Sequence, residues 1–192
     1  MVKKDVIDFF DGLAQAWDDE QVRNEDVIKT ILEKGGIKKG TDVLDVACGT
    51  GVLFTDYMNL GVASVTGIDI SSEMVKISRQ KFPEAEIICG DAEDYSFQKQ
   101  FDAVMIYNAF PHFVNPEKLF LNLSKVLRDS GRLTVAHGMS EKELEKCHSS
   151  RAVNVSNPLP AKEKLSEMMS VFFKVDTMIS DEKMYMVSGT KH

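Results

Sequence analysis

Val43-Leu44-Asp45-Val46-Ala47-Cys48-Gly49-Thr50-Gly51 is a short apolar run that enters a glycine-rich turn. Val52 to Leu60 then has helical length and spacing, so the unit reads as buried strand, tight turn, helix. Glycines at 49 and 51 permit φ > 0 and remove the Cβ that would block a nucleotide-like ligand lying against the turn. Eighteen positions after Gly51, Gly67-Ile68-Asp69-Ile70 ends a second apolar run on a carboxylate, the place from which an acid reaches ribose hydroxyls.

Working outward from this unit, short apolar runs alternate with helical segments. The strand candidates are Val43 to Val46, Ser64 to Ile68, Glu86 to Cys89, Ala103 to Ile106 and Leu133 to Ala136, and Ser72 to Phe82 and Pro116 to Leu127 are further helices between them. Alternation of this kind implies an α/β fold with a parallel sheet covered on both faces. Val171 to Ile179 and Met184 to Ser188, separated by Ser180-Asp181-Glu182-Lys183, suit an antiparallel hairpin at the sheet edge. At the other end, Val6, Phe9, Phe10, Leu13 and Trp17, then Val27, Ile28, Ile31 and Leu32, recur at helical spacing and predict two helices before Gly35-Gly36.

At 192 residues the chain is read as a single domain, 1–192: a helical cap over 1–36, a ligand-binding core over 40–138, and substrate-side helices with the hairpin over 139–192. A formal charge of -7 argues against a nucleic-acid duplex as partner and for a small or cationic one. No apolar run approaches bilayer length and the amino terminus is unlike a signal peptide, so a cytoplasmic protein with no membrane partner is expected. Cys48, Cys89 and Cys147 are widely spaced and predict free thiols. The oligomeric state is not readable from this chain.

A nicotinamide or flavin site shares the glycine turn and the distal acid, so the turn must be discriminated further. The dinucleotide fingerprint GxGxxG places glycine or alanine where this chain has Phe54. Asp45, just before the turn, repels a pyrophosphate but suits a sulfonium ligand carrying an α-amino group. With Asp45 through Gly51 as first motif, Asp69 as strand-two acid and Gly90-Asp91-Ala92 after strand three, the chain resembles the class I S-adenosylmethionine-dependent methyltransferase family over roughly residues 40 to 138.

That resemblance implies a Rossmann-like seven-stranded sheet in the order 3-2-1-4-5-7-6, strand seven antiparallel, with helices on both faces and the two first helices across the cofactor cleft. It implies S-adenosyl-L-methionine as cofactor, cradled by the turn at Ala47, Gly49 and Gly51 with Asp45 beside it. Asp69 is implied to bond the ribose and Asp91 to accept from the adenine amino group beside Ala92. Ile70 and Met74 are implied to pack on the adenine, and Asn108 to stand near the methionine portion. The implied activity is methyl transfer to a nucleophile on a small-molecule acceptor. A non-catalytic binder of the cofactor or its product, and a nicotinamide-dependent oxidoreductase, are the alternatives.

His112, in the loop after strand four, and His137, ending strand five, fall at the edge where open α/β sheets bind ligands. Both are candidate general bases expected to face one shared pocket. Cys147-His148 is a weaker candidate for a metal site, lacking close ligand spacing, and no metal is expected. Phe10 and Trp17 are core residues by default, with a lid role as the alternative. Asn/Asp-Pro-Pro-Tyr/Phe after strand four, typical of enzymes that methylate exocyclic base amines, is replaced by Tyr107-Asn108-Ala109-Phe110.

Overall fold

A computed structural model describes residues 1–20, 22–150 and 154–192, without the side chains of Glu20, Glu145 and 147–150. Seven strands join one sheet: β1 Asp42–Val46, β2 Ser64–Asp69, β3 Glu86–Cys89, β4 Phe101–Tyr107, β5 Leu127–His137, β6 Phe173–Ser180 and β7 Tyr185–Lys191. Their order is β3-β2-β1-β4-β5-β7-β6, as expected, with β7 antiparallel to both β5 and β6 and the other neighbours parallel.

The helices are α1 Lys3–Leu13, α2 Trp17–Glu20, α3 Glu25–Lys34, α4 Phe54–Leu60, α5 Ser72–Lys81, α6 Pro116–Val126, α7 Glu141–Ser150 and α8 Lys162–Met169. Their starts follow local chemistry. Asn24, Ser71 and Asn115 accept from the backbone N–H groups of Val27, Met74 and Lys118, which caps α3, α5 and α6. None of the described helices is long and apolar enough to cross a membrane.

The two-residue period of the central strands divides the core. Leu44, Val46, Val104 and Ile106 face α6 and α8 through Leu119, Phe120, Leu123, Leu165 and Met169. Val43, Ala103 and Met105 face α3 and α4 through Ile28, Ile31, Phe54 and Tyr57. Both faces are apolar because both are covered.

Three expectations are corrected. The first amino-terminal helix is broken: α1 gives way to a 3-10 turn over Ala14–Ala16 and then α2. The second, α3, buries Val27, Ile28, Ile31 and Leu32 against the sheet and does not cross the cleft, because its apolar stripe is filled by β1 and α4. Strand five begins at Leu127, six residues early, since Arg128-Asp129-Ser130-Gly131 forms a bulge with Ser130 at φ 62° inside the strand.

Candidate active site at the carboxyl ends of the strands

Strands β1, β2 and β4 end side by side and their following loops line one cavity, with about 980 Å³ of empty space including the solvent at its mouth. Of the ten residues implied to hold the cofactor, nine line it: Asp45, Ala47, Gly49, Asp69, Ile70, Met74, Asp91, Ala92 and Asn108.

Gly51 is the exception. Its φ is +88°, and a Cβ there would lie 2.7 Å from the Phe82 ring, so this glycine serves the packing of the turn on Phe82 rather than the cavity. Gly49, at φ +55°, would direct a Cβ toward Trp17 Nε1 and Met74 Sδ, both cavity residues, at 3.6 and 4.0 Å. Phe54, which fills the place of the third dinucleotide glycine, packs on β2 at Gly67, where a Cβ would be 2.7 Å from its ring. Close helix–strand approach is thus obtained with the glycine on the strand.

Two carboxylates are buried at the turn. Asp69, 8% exposed, accepts from the N–H groups of Gly49 and Ser71 at 2.8 Å each. Burial raises its pKa to about 6, although the two N–H groups hold it down. Asp45, 3% exposed, accepts from the Tyr57 hydroxyl at 3.0 Å. Burial, with the charge of Asp69 added, pushes it up to about 7 against the Tyr57 bond. The site is therefore acid-rich at this end. Burial also pushes the Cys48 thiol well up, which removes it as a nucleophile.

Ala47 and Asn108 follow β1 and β4 in the left-handed region, at φ 56° and 54°. For alanine this costs about 1 to 2 kcal/mol. Asn108 is fixed by its own N–H to Ala136 and by its Oδ1, which accepts from Gly138 N–H at 2.9 Å.

The amino-terminal segment, expected as a helical cap across the cleft, reaches every motif. The Lys3 ammonium ion-pairs with Asp91, with Glu93 at 2.7 Å and with Asp94 at 3.4 Å. Asp11 accepts from the Ser71 hydroxyl and from Glu73 N–H, just after Asp69. Asp18 accepts from the Thr50 hydroxyl at 2.5 Å, inside the glycine turn, and pairs with Lys81. Phe10 and Trp17 line the cavity, edge to face at 5.6 Å. Phe10 also packs against the buried pair Val6 and Val155, so packing and cavity lining coincide at this ring.

The two candidate bases part company. His112 lines the cavity, edge to face with Phe10 at 4.9 Å, and its Nδ1 is 2.8 Å from the Val155 carbonyl and 3.1 Å from the Ser156 hydroxyl. A carbonyl only accepts, so Nδ1 carries the proton and the neutral ring's basic atom is Nε2. His137 is fully buried in register with Tyr185, its ring 6.0 Å from the phenol ring, and is not in the cavity wall. The expected shared pocket is not formed, because the pleat of β5 turns His137 into the sheet's own packing. The side chains of Cys147 and His148 lie outside the described residues, and no metal-binding group of side chains exists among those described.

Glu93 also lines the cavity, as do Lys3 and Tyr107, which sequence reasoning missed. Only Glu93 had a local signal, its place two residues after Asp91; it is 3% exposed and accepts from Asn115 N–H at 2.8 Å. Asp94, its neighbour, is exposed and pairs with Lys118.

Residues 44–135 match the family described as "Methyltransferase domain". Demethylmenaquinone methyltransferase of Paenarthrobacter aurescens is 32% identical over 109 residues, 56% of this chain and 43% of that protein. The chain thus spans less than half the length of this curated relative. An uncharacterized methyltransferase of Alkaliphilus oremlandii is 28% identical over 172 residues, 84% of this chain and 79% of that one. Among solved structures, magnesium protoporphyrin IX methyltransferase from Synechocystis PCC 6803 with bound S-adenosylhomocysteine superposes with a TM-score of 0.72 at 17% identity, covering 99% of each chain, a likeness of fold.

Proposed function

Because this chain belongs to the class I S-adenosylmethionine-dependent methyltransferase family, we propose that it binds S-adenosylmethionine in the cavity above and transfers the methyl group to a nucleophilic atom of a small-molecule acceptor. The observation that carries this reading is the convergence of Asp45, Asp69 and Asp91 on one cavity with a glycine backbone between them. Asp45 and Asp69, buried and with no cationic partner among the described residues, suit a ligand that brings its own sulfonium and ammonium charges, and repel a pyrophosphate.

When bound, the sulfonium supplies an activated methyl group. Asp69 would hold ribose hydroxyls while keeping its bonds to Gly49 and Ser71, and Asp91, beside Ala92, would accept from the adenine amino group. Ile70 and Met74 would pack on the purine, with Ala47, Gly49, Asp45 and Asn108 around the amino-acid portion. His112 Nε2 takes the acceptor's proton, with Val155 fixing the tautomer. Phe10 and Trp17 exclude water, and the rest of the rate comes from holding two reactants in line. The reading treats 1–192 as one catalytic domain and includes a cytoplasmic setting, where the free thiols Cys48 and Cys89 stay reduced.

Titration with S-adenosylmethionine, S-adenosylhomocysteine and NAD tests it. Binding of the two sulfur ligands and not NAD is expected; tight NAD binding without them overturns the reading. Labelled methyl transfer into cell extract then separates an enzyme from a protein that only binds the cofactor.

A further inference from the structure

Lys3 is the first residue of α1, yet its ammonium lies 88 residues away in sequence among Asp91, Glu93 and Asp94, on the wall of the cavity. Burial works against this charge, but the bonds to Asp91 and Glu93 outweigh it and raise its pKa, so Lys3 is charged throughout the working range. Its two main partners are not alike. Glu93 is buried and spends its other oxygen on Asn115 N–H. Asp91 spends Oδ1 on Glu93 N–H and offers Oδ2 to Lys3. Two carboxylates two residues apart repel each other in a cavity wall, and one ammonium between them offsets that repulsion and fixes the rotamer of each.

From this arrangement, and resting on the cofactor reading above, we infer that Lys3 is a positioning residue of the purine subsite: it orients Asp91 toward the adenine amino group and pins α1, with Val6 and Phe10, over the bound cofactor. Each carboxylate oxygen has more than one acceptor direction, so Asp91 can keep Lys3 and still take the amino hydrogen. The other two latches of the same segment, Asp11 on Ser71 and Asp18 on Thr50, land on the ribose-side loop and the glycine turn. Lys3 supplies the contact at the third motif.

The test titrates S-adenosylhomocysteine, and its inosine analogue in which the amino group is replaced by oxygen, into the parent and into Lys3→Met, Lys3→Arg and Lys4→Met. Lys4 ion-pairs with the exposed Asp8 on its own helix and serves as control. Lys3→Met is expected to bind S-adenosylhomocysteine about tenfold more weakly, to lose much of the parent's preference for it over the inosine analogue, and to melt close to the parent. Lys3→Arg should recover most of both, and Lys4→Met should match the parent. In turnover, the loss should appear in KM for the cofactor and not in kcat. Equal or tighter binding by Lys3→Met, or an unchanged preference between the two ligands, overturns the inference while leaving the cofactor reading intact. A parent that binds neither ligand overturns both.

Discussion

Asp69 does more than wait for a ribose. Its two oxygens hold Gly49 N–H and Ser71 N–H, so the same carboxylate ties the glycine turn to the start of α5. Asp69→Ala is therefore expected to weaken S-adenosylhomocysteine binding by roughly 1 to 3 kcal/mol and also to lower stability, leaving two N–H groups without an acceptor. Asp69→Asn, which keeps one acceptor oxygen, should lose less of each; calorimetric titration with thermal melting separates the two effects, and a folded alanine variant with parental affinity would sink the ribose assignment. His112 makes a contrasting case, since its ring touches the cavity from a loop and its tautomer is set by Val155. His112→Ala should reduce kcat by about 10² to 10⁴ with cofactor affinity unchanged. His137→Ala should act on stability instead, because that ring packs on Tyr185 inside the sheet. A kcat that survives in His112→Ala removes the base and leaves positioning alone.

At the level of elements, the β1–turn–α4 unit was legible because it is local: an apolar run, two glycines and a helix within eighteen residues. What the two glycines each do was not legible, because it depends on what packs against them. Gly51→Ala is expected to destabilise by roughly 1 to 3 kcal/mol from overpacking on Phe82, beyond the strain of a left-handed alanine. Phe82→Ala in the same chain should relieve the first cost and not the second, a coupling a double-mutant cycle measures. Gly49→Val should instead abolish S-adenosylhomocysteine binding, since its side chain enters the cavity toward Trp17 and Met74. A Gly49→Val chain that folds and binds as the parent does would show that the turn is not the cradle. Helix α1 was legible as a helix but not in its contacts with the site, because Lys3 and Asp11 bond partners 60 to 91 residues away and helical periodicity carries no such information. His137 failed for a similar reason: chain position puts it at the strand end, but the pairing of β5 with β7 decides which way it faces.

For the whole molecule, the strand order was readable once the family resemblance was in hand, and the cavity then followed from the carboxyl ends of β1, β2 and β4. The electrostatic character of that cavity came only with burial. Asp45 at about 7 and Asp69 at about 6 both lie above the ordinary carboxylate value near 4. The folded chain thus keeps protons that the unfolded chain has released, and the contribution of these two groups to stability is full below about pH 4 and is lost as pH rises through 6 and 7. Melting of the ligand-free protein should decline over that window on their account, while affinity for the cationic cofactor rises, because the ligand favours the ionised acids. Titrations at about pH 5.5 and 7.5 check the sign, and an affinity that falls with rising pH would contradict the proposed contacts. One feature of the sheet bears on how the chain comes into being. Strand β7 is synthesised after β6 but sits between β5 and β6. Until Tyr185–Lys191 has emerged, β6 has no neighbour to join and β5 presents an open edge, so the nascent chain carries the β5 backbone unpaired. The hairpin thus joins the sheet through its second strand, and any pause in translation between residues 180 and 191 lengthens the interval in which the β5 edge stays open.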